Sequence, residues 1–394
     1  MDYITAGESH GPSLVALVRG VPAGLALSAQ AINADLARRQ SGYGRGGRMK
    51  IEVDQVRFMS GMRFGRTLGT PLAIEVANRD WENWRARMAH EGAPPHDLVR
   101  ERSPRPGHAD LVGALKNNTD DCRDVLERAS ARETAARVAA GAVARSFLAS
   151  FGVEVRSYVC RIGDVEIPPE EVARKSGVFS ADRVESSPVR CPHEEASRQM
   201  TAAIDEAREA GTSLGGWFSV TATGLVCGLG GFAEPRERLT ARLGAALFSI
   251  PAIKGVEFGL GFAAGTLPGS RVHDEIVCTP DEPGRIQPAR ASNNAGGLEG
   301  GMSTGEPLVI RAAMKPIPTQ AAPLRTVDLL THELTLASKE RSDICAVPAC
   351  AVVAEAEVAL VLADAYTEKF GHDNMADCLA RFEAYVARVA RVAR

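Results

Sequence analysis

The sequence predicts one integrated α/β domain, on three observations. Short apolar alternations such as Ile51-Glu52-Val53 and Phe218-Ser219-Val220 read as strands, because a half-buried strand repeats its apolar face every second residue. Longer alanine-rich stretches between them carry small apolar residues at helical spacing. No linker, internal repeat or low-complexity tract divides the 394 residues.

A short strand-like start leads into Gly7-Glu8-Ser9-His10-Gly11, and the first helix is expected over Ala31–Arg39. A glycine-rich basic stretch, Arg38–Lys50, follows and gives way to the strand-like Met49–Val53. Glu91–Pro106 holds Pro94, Pro95, Pro104 and Pro106 and should resist regular structure. The clearest helix covers Glu127–Phe151, with Glu133 and Arg137 paired one turn apart and Gly152 as its stop. The proline- and charge-rich Asp164–Pro192 reads as a surface excursion. Helices are also expected at His193–Ala210, Leu239–Phe248, Val327–Ser338 and Ala376–Val392. Val352–Ala365 is apolar at helical spacing although it carries Glu355 and Glu357.

Composition narrows the class. With 45% hydrophobic and 24% charged residues the chain fits a soluble globular enzyme, and 5% aromatics imply a core of small side chains. A net charge of −3 argues against a broad polyanion footprint, so nucleic acid is not an expected partner. The eight cysteines show no metal-binding spacing, which reads as free thiols in a reducing compartment and no metal site. The N-terminus lacks the pattern of a signal peptide, and no run of about 18 apolar residues occurs. A cytoplasmic protein with no membrane partner is the expectation.

Several constellations have the residue types that chemistry needs. In Gly7–Gly11 the flanking glycines let the backbone turn sharply and present His10, though a surface turn would look the same. Arg38–Lys50 holds five cations, four glycines and no acid. Such a loop is costly to order without an anion, and arginine forks suit phosphate and carboxylate. Its formal G-x-G-x-x-G, Gly42–Gly47, follows a helix and precedes a strand, the wrong order for a dinucleotide fingerprint. Arg105-Pro106-Gly107-His108 presents a second glycine-adjacent histidine beside arginine. At the head of the long helix, Arg128 and Arg132 fall on one helical face near Ser130 and the first-turn amides, an anion site unless Asp124 and Glu133 neutralise them. Dense glycine over 293–307, followed by Lys315-Pro316-Ile317-Pro318-Thr319, suits close packing on a flat ring or a set of tight turns. Arg341 with Asp343 is an ion pair or a plain surface pair.

Together, and in this order, these stretches resemble the chorismate synthase family from residue 1 to about 385. The likeness extends to Gly65–Pro71, Val76–Trp81, Val189–Pro192, Ser249–Phe262 and His273-Asp274-Glu275. The resemblance implies a β-α-β sandwich, a helical layer packed between two sheets, assembled as a homotetramer. It implies a lyase that converts 5-enolpyruvylshikimate 3-phosphate to chorismate and phosphate by 1,4-elimination assisted by reduced flavin mononucleotide (FMN). By the same resemblance His10 is the acid toward the reduced flavin and His108 the acid toward the departing phosphate. Asp343 assists proton removal. Ser9, Arg39, Arg48, Arg132 and Arg341 match substrate positions, and Arg39 and Arg45 also match positions for the nicotinamide reductant. Flavin contacts fall on Arg128, Ala129, Ser130, Ala252, Gly300, Lys315, Pro316, Ile317, Pro318, Thr319 and Arg341. Pro251 stands where the family usually has an amide side chain, and Arg236–Thr240 departs from the family's acidic run. A cavity crowded with anions favours the protonated form of both histidines. With no Rossmann module encoded, NADPH is expected to act through a separate flavin reductase.

Overall fold

The computed structural model describes residues 1–46, 52–174, 177–277, 289–340 and 342–392. The elements that position the site are, in order, β1 (Asp2–Ala6), β2 (Ser13–Arg19), α1 (Ala29–Gln40), β3 (Val56–Phe58), β4 (Leu72–Ala77), α2 (Asp110–Asn117) and α3 (Thr134–Ala149). Next come β5 (Glu154–Ile162), β6 (Val165–Glu166), α4 (Glu194–Glu209), β7 (Gly216–Thr223), α5 (Leu239–Phe248), β8 (Ile253–Phe258) and β9 (Leu308–Met314). The chain closes with β10 (Arg325–Val327), β11 (Leu334–Leu336), α6 (Val347–Phe370) and α7 (Met375–Val392).

Two antiparallel sheets form, in the orders β1-β2-β4-β3 and β8-β9-β7-β5-β6. Period-two patterning decides which face each strand buries. Leu14, Ala16 and Val18 of β2 and Leu72, Ile74 and Val76 of β4 point inward, as do Leu308, Ile310 and Ala312 of β9. Helix α3 packs on β1, β2 and β4 of the first sheet and on β5 of the second. Helix α6 lies on β5 and β7 and against α1, α3, α5 and α7. It is apolar around nearly its whole circumference, as a helix with packed neighbours on all sides must be. Small residues let α3 and α6 meet almost backbone to backbone. A Cβ at Gly141 would lie 2.2 Å from the Ala356 Cβ.

The two acids of α6 are buried but matched. Glu355 accepts bonds from Arg38 (2.8 Å to each oxygen), Ser157 Oγ (2.6 Å) and Arg190 (3.1 Å). Glu357 accepts from the Tyr3 hydroxyl (2.5 Å) and from Arg137 (2.9 Å).

Most expected helices form within a residue or two of their predicted ends, and α5 matches at both. The long helix starts later than Glu127: a 3-10 turn, Ala131–Glu133, precedes α3. Four expectations are corrected. Val327–Ser338 is not a helix but the β10–β11 pair, because Asp328 accepts the amides of Leu330 and Thr331 and closes a turn. Glu52 and Val53 form no strand, since Glu52 is buried and its carboxylate accepts the amides of Arg79 and Asp80. The segment 164–192 is only partly a surface excursion: Ile167, Val184, Val189 and Cys191 are in the core, and the Arg190 carbonyl accepts from the Val159 amide. Arg128 and Arg132 do not share a helical face. Arg128 is part-exposed and donates to the Thr5 and Gly7 carbonyls, whereas Arg132 points inward.

Candidate active site

The turn after β1 delivers the first histidine. Gly7 adopts φ +109, and a Cβ there would meet the Ser13 carbonyl oxygen at 2.3 Å, so no other residue fits. The chain then folds inward. The Ser9 amide donates to the Glu127 carbonyl (3.0 Å) and the His10 amide to Glu127 Oε2 (2.7 Å). The His10 ring Nδ1 lies 2.8 Å from Glu127 Oε1, and Trp84 stacks on the ring at 4.1 Å. Arg123 bonds Glu127 Oε1 (3.0 Å) and Glu340 (2.8 Å) and packs over Trp84. Burial pushes the Glu127 carboxyl up, but the bonds from His10 and Arg123 outweigh it and leave it below the usual carboxylate range.

The second histidine is held in parallel fashion. Pro106 and Gly107 (φ +80) turn the chain just before α2. His108 Nδ1 lies 2.5 Å from Oδ1 of Asp110, the first residue of α2. Asp110 is fully buried and also accepts from the Arg105 amide (3.1 Å), Nε (2.8 Å) and Nη2 (3.1 Å). Burial opposes ionisation of Asp110, yet the bonds from His108 and Arg105 hold it well below the usual range. Arg105 Nη1 reaches on to Thr319 Oγ1 (3.0 Å), and Lys315 Nζ donates to the Gly107 carbonyl, which docks the 315–319 segment beside His108. Burial and Lys254 push the Lys315 ammonium down.

Beside the His10–Glu127 pair sits a buried cluster of arginines. Arg132 donates to Asn78 Oδ1 (2.8 Å) and Asp54 Oδ1 (2.5 Å), and Asn78 in turn donates to the Glu8 and Gly11 carbonyls around His10. Arg39 has only Asp54, at 3.5 Å, and its buried Nε has no hydrogen-bond partner among the described residues. Burial pushes the Arg39 guanidinium down to about 10; Asp54 opposes this while Arg132 and Arg45 deepen it. Asp343 pairs with Arg45 (2.6 Å) and accepts the Gly46 amide (2.6 Å). Arg38 of the basic stretch is not part of this cluster, since Glu355 and Glu185 hold it elsewhere. Arg48 and Arg341 lie outside the described residues.

These groups form two bonded sets, one running from Ser9 to Arg39 and one from Ser342 to His108. Ser9, next to His10, accepts from Ser130 (Ser130 Oγ to Ser9 Oγ, 3.1 Å), and Ser130 Oγ accepts the Arg132 amide (3.2 Å). Asp54 bridges Arg132 to Arg39, and Ser342, next to Asp343, donates to the Thr319 carbonyl (3.1 Å), which leads to Arg105, Asp110 and His108. The residues expected at a flavin separate. Arg128, Ala129 and Ser130 lie beside Ser9, and Pro316–Thr319 beside Asp343 and His108. Ala252, in the left-handed region at φ +72, accepts the Lys315 amide (3.0 Å), with Pro251 exposed before it. Gly300 stands apart on a short hairpin whose Gly301 carbonyl meets Leu239 at the start of α5. Ala252 follows the other end of that ten-residue helix, about 15 Å away along its axis. Two cavities of about 350 and 260 Å³ among the described residues lie elsewhere, around His273 and Asp274 and around Arg38 and Arg156.

The residues that sequence reading missed are the partners Glu127, Asp110, Asp54, Asn78 and Trp84, while Arg105 was read only as the arginine beside His108. Among those missed, Asp110 left a local signal, two positions after His108.

The chain is similar to known proteins over nearly its whole length. The family model described as chorismate synthase matches residues 1–367. Curated relatives called chorismate synthase include those of Rubrobacter xylanophilus, 55% identical over 100% of this chain and 98% of that protein, and Geobacter sulfurreducens, 50% identical over 98% of each. A solved structure titled "Crystal Structure of Chorismate Synthase" superposes with a TM-score of 0.78 at 41% identity, covering 99% of this chain and 98% of that one. The chain therefore belongs to the chorismate synthase family, the lyases that carry 5-enolpyruvylshikimate 3-phosphate to chorismate in the shikimate pathway.

Proposed function

We propose that the elimination takes place among the groups from His10 to His108, with reduced FMN as cofactor. The observation that carries this reading is the buried arginine cluster beside the His10–Glu127 pair, in which Arg39 has an orphan Nε among the described residues. Burial, with Arg132 and Arg45 close by, lowers the Arg39 guanidinium and Asp54 offsets this only in part, so the cluster fits an anion. The flavin would be held by Arg128, Ala129 and Ser130 on one side and by Pro251, Ala252 and Lys315–Thr319 on the other, with Gly300 and Arg341 assigned by resemblance. When bound, reduced FMN supplies the transient electron density that helps break the C–O bond and accept hydrogen.

The protein's own groups do the rest. Arg39 and Arg132, with Arg48 from the same basic stretch, neutralise the substrate's phosphate and carboxylates. Ser9 orients, His108 protonates the departing phosphate, His10 serves as acid toward the cofactor, and Asp343 assists proton removal. The sandwich and single-domain reading is supported by the contact of α3 with both sheets and by a hydrophobic core running from Met1 to Cys378. A homotetramer, a cytoplasmic setting and NADPH acting through a separate flavin reductase complete the proposal. Among the described residues no helix is long and apolar enough to cross a membrane.

The test is anaerobic: protein, 5-enolpyruvylshikimate 3-phosphate and dithionite-reduced FMN should release phosphate and chorismate. His10→Ala and His108→Ala should each cut turnover by about 10²–10⁴-fold, the usual worth of a general acid. Near-normal turnover in both variants would remove the acid assignments.

A further inference from the structure

We infer that Glu127 and Asp110 are positioning residues that hold His10 and His108 as Nδ1–H tautomers, leaving Nε2 of each ring to carry and deliver the mobile proton. The inference deepens the reading of the two histidines as acids and rests on it for its link to catalysis. Its geometry stands separately.

The two arrangements repeat one pattern in unrelated parts of the chain. In each, a buried carboxylate oxygen lies within 2.8 Å of ring Nδ1. An ionised carboxylate can only accept, so Nδ1 must carry hydrogen, and the exchangeable proton is confined to Nε2. Neither carboxylate is free to follow the ring. Glu127 also holds the His10 amide and the Arg123 guanidinium, and Asp110 is gripped three times by Arg105. Arg105 Nη2 comes within 3.1 Å of His108 Nδ1, but both are donors converging on Asp110 Oδ1, and the 2.5 Å histidine contact is the shorter. Holding the backbone alone would need only the amide bonds. The additional ring contact, made twice at the same nitrogen, is what assigns a tautomer.

The arrangement balances its protons. Each imidazolium would give its Nε2 proton, His108's to an oxygen of the leaving phosphate and His10's to the cofactor toward which it serves as acid. The ring is left neutral, with its remaining proton still on Nδ1 and bonded to the carboxylate. Around His10 the charged groups are Glu127, Arg123 with its partner Glu340, and Glu8 of the same turn. Around His108 they are Asp110, Arg105 and Lys315, itself influenced by Lys254.

The decisive experiment is nitrogen NMR on the full chain with ¹⁵N-labelled histidine, the two resonances being assigned with His10→Gln and His108→Gln. At alkaline pH both rings should show the Nδ1–H pattern in the wild-type protein. An Nε2–H ring at either position overturns the inference there, whatever the activity. In turnover assays, Glu127→Gln and Asp110→Asn should lower kcat on the order of 10²-fold or more with KM changed only a few-fold. Glu127→Asp and Asp110→Glu should recover part of the loss, and in each amide variant the ring should no longer show the Nδ1–H pattern alone. Amide variants with an unchanged kcat and an unchanged tautomer pattern would sink the positioning role. If an amide variant does not fold, the wild-type tautomers still decide. If the wild-type protein is inactive with substrate and reduced FMN, the lyase reading of the site fails and the tautomer result stands on its own.

Discussion

Glu355 is a buried carboxylate of the helical layer shared by three arginines. Burial by itself would push its carboxyl up, but Arg38 and Arg145, with Arg190, outweigh burial and hold it down at about 2. A carboxyl whose folded pKa is depressed contributes stability above its unfolded pKa, ordinarily about 4.3, and loses it as pH falls through the folded value. Stability should therefore fall between about pH 4.5 and pH 2, and denaturant midpoints measured across that range should show it. Glu355→Gln should destabilise at neutral pH by about 3–5 kcal/mol, because three arginines lose their shared counter-charge in the interior. An unchanged neutral-pH midpoint would refute that weight. At this scale the sequence was a partial guide. His10, His108 and the basic stretch were singled out because glycine, histidine and arginine cluster there, and the resemblance gave the histidines their roles. Their partners were not. Glu127 stands 117 residues from His10, and Asp54 reaches Arg132 across 78, so nothing local marked them.

Between elements, the meeting of α3 and α6 sets opposing effects against each other at Gly141. Replacing it with alanine favours an isolated helix by about 1 kcal/mol. The added Cβ, however, would lie 2.2 Å from the Ala356 Cβ and 2.5 Å from its Cα, a backbone neighbour that cannot rotate away. Overpacking of that kind costs about 1–3 kcal/mol or more, so the clash wins. Gly141→Ala should lower the urea midpoint, and a raised midpoint would mean that the helices separate freely. The amphipathic and alanine-rich helices were predictable because periodicity of 3.6 is a strong signal. The β10–β11 pair was not, because Leu329, Leu330, Leu334 and Leu336 imitate that period. Only the Asp328 side chain, bonding the turn amides, tips the segment into strands.

At the level of the whole molecule, the order of elements bears on where a nicotinamide could bind. Both main sheets are antiparallel throughout, so neither offers the parallel strand–helix crossover on which a dinucleotide fold depends. Gly42–Gly46 follows α1 directly and makes a turn whose Tyr43 amide donates to the Pro188 carbonyl, not a phosphate-binding loop after a strand. Mixed anaerobically with FMN, substrate and NADPH, the protein should make almost no chorismate until dithionite or a flavin reductase is added. Rapid turnover with NADPH alone would establish a reductase site within the chain.

The central place of α6 also governs how the protein comes into being. Its partner α3 ends at Ala149 and α6 begins at Val347, so 197 residues separate the two halves of one interface. At cellular synthesis rates that interval is about 10–40 s. Throughout it the small apolar face of α3, with Ala139, Ala140 and Gly141, waits on the ribosome without its cover. Contacts of such long range make intrinsically slow folding, and the bonds of Asp343 to Arg45 and the Gly46 amide form only after Asp343 has emerged. The nascent chain is thus exposed to aggregation for about half of its synthesis, a natural client for holding chaperones, and it gains its chemistry only late.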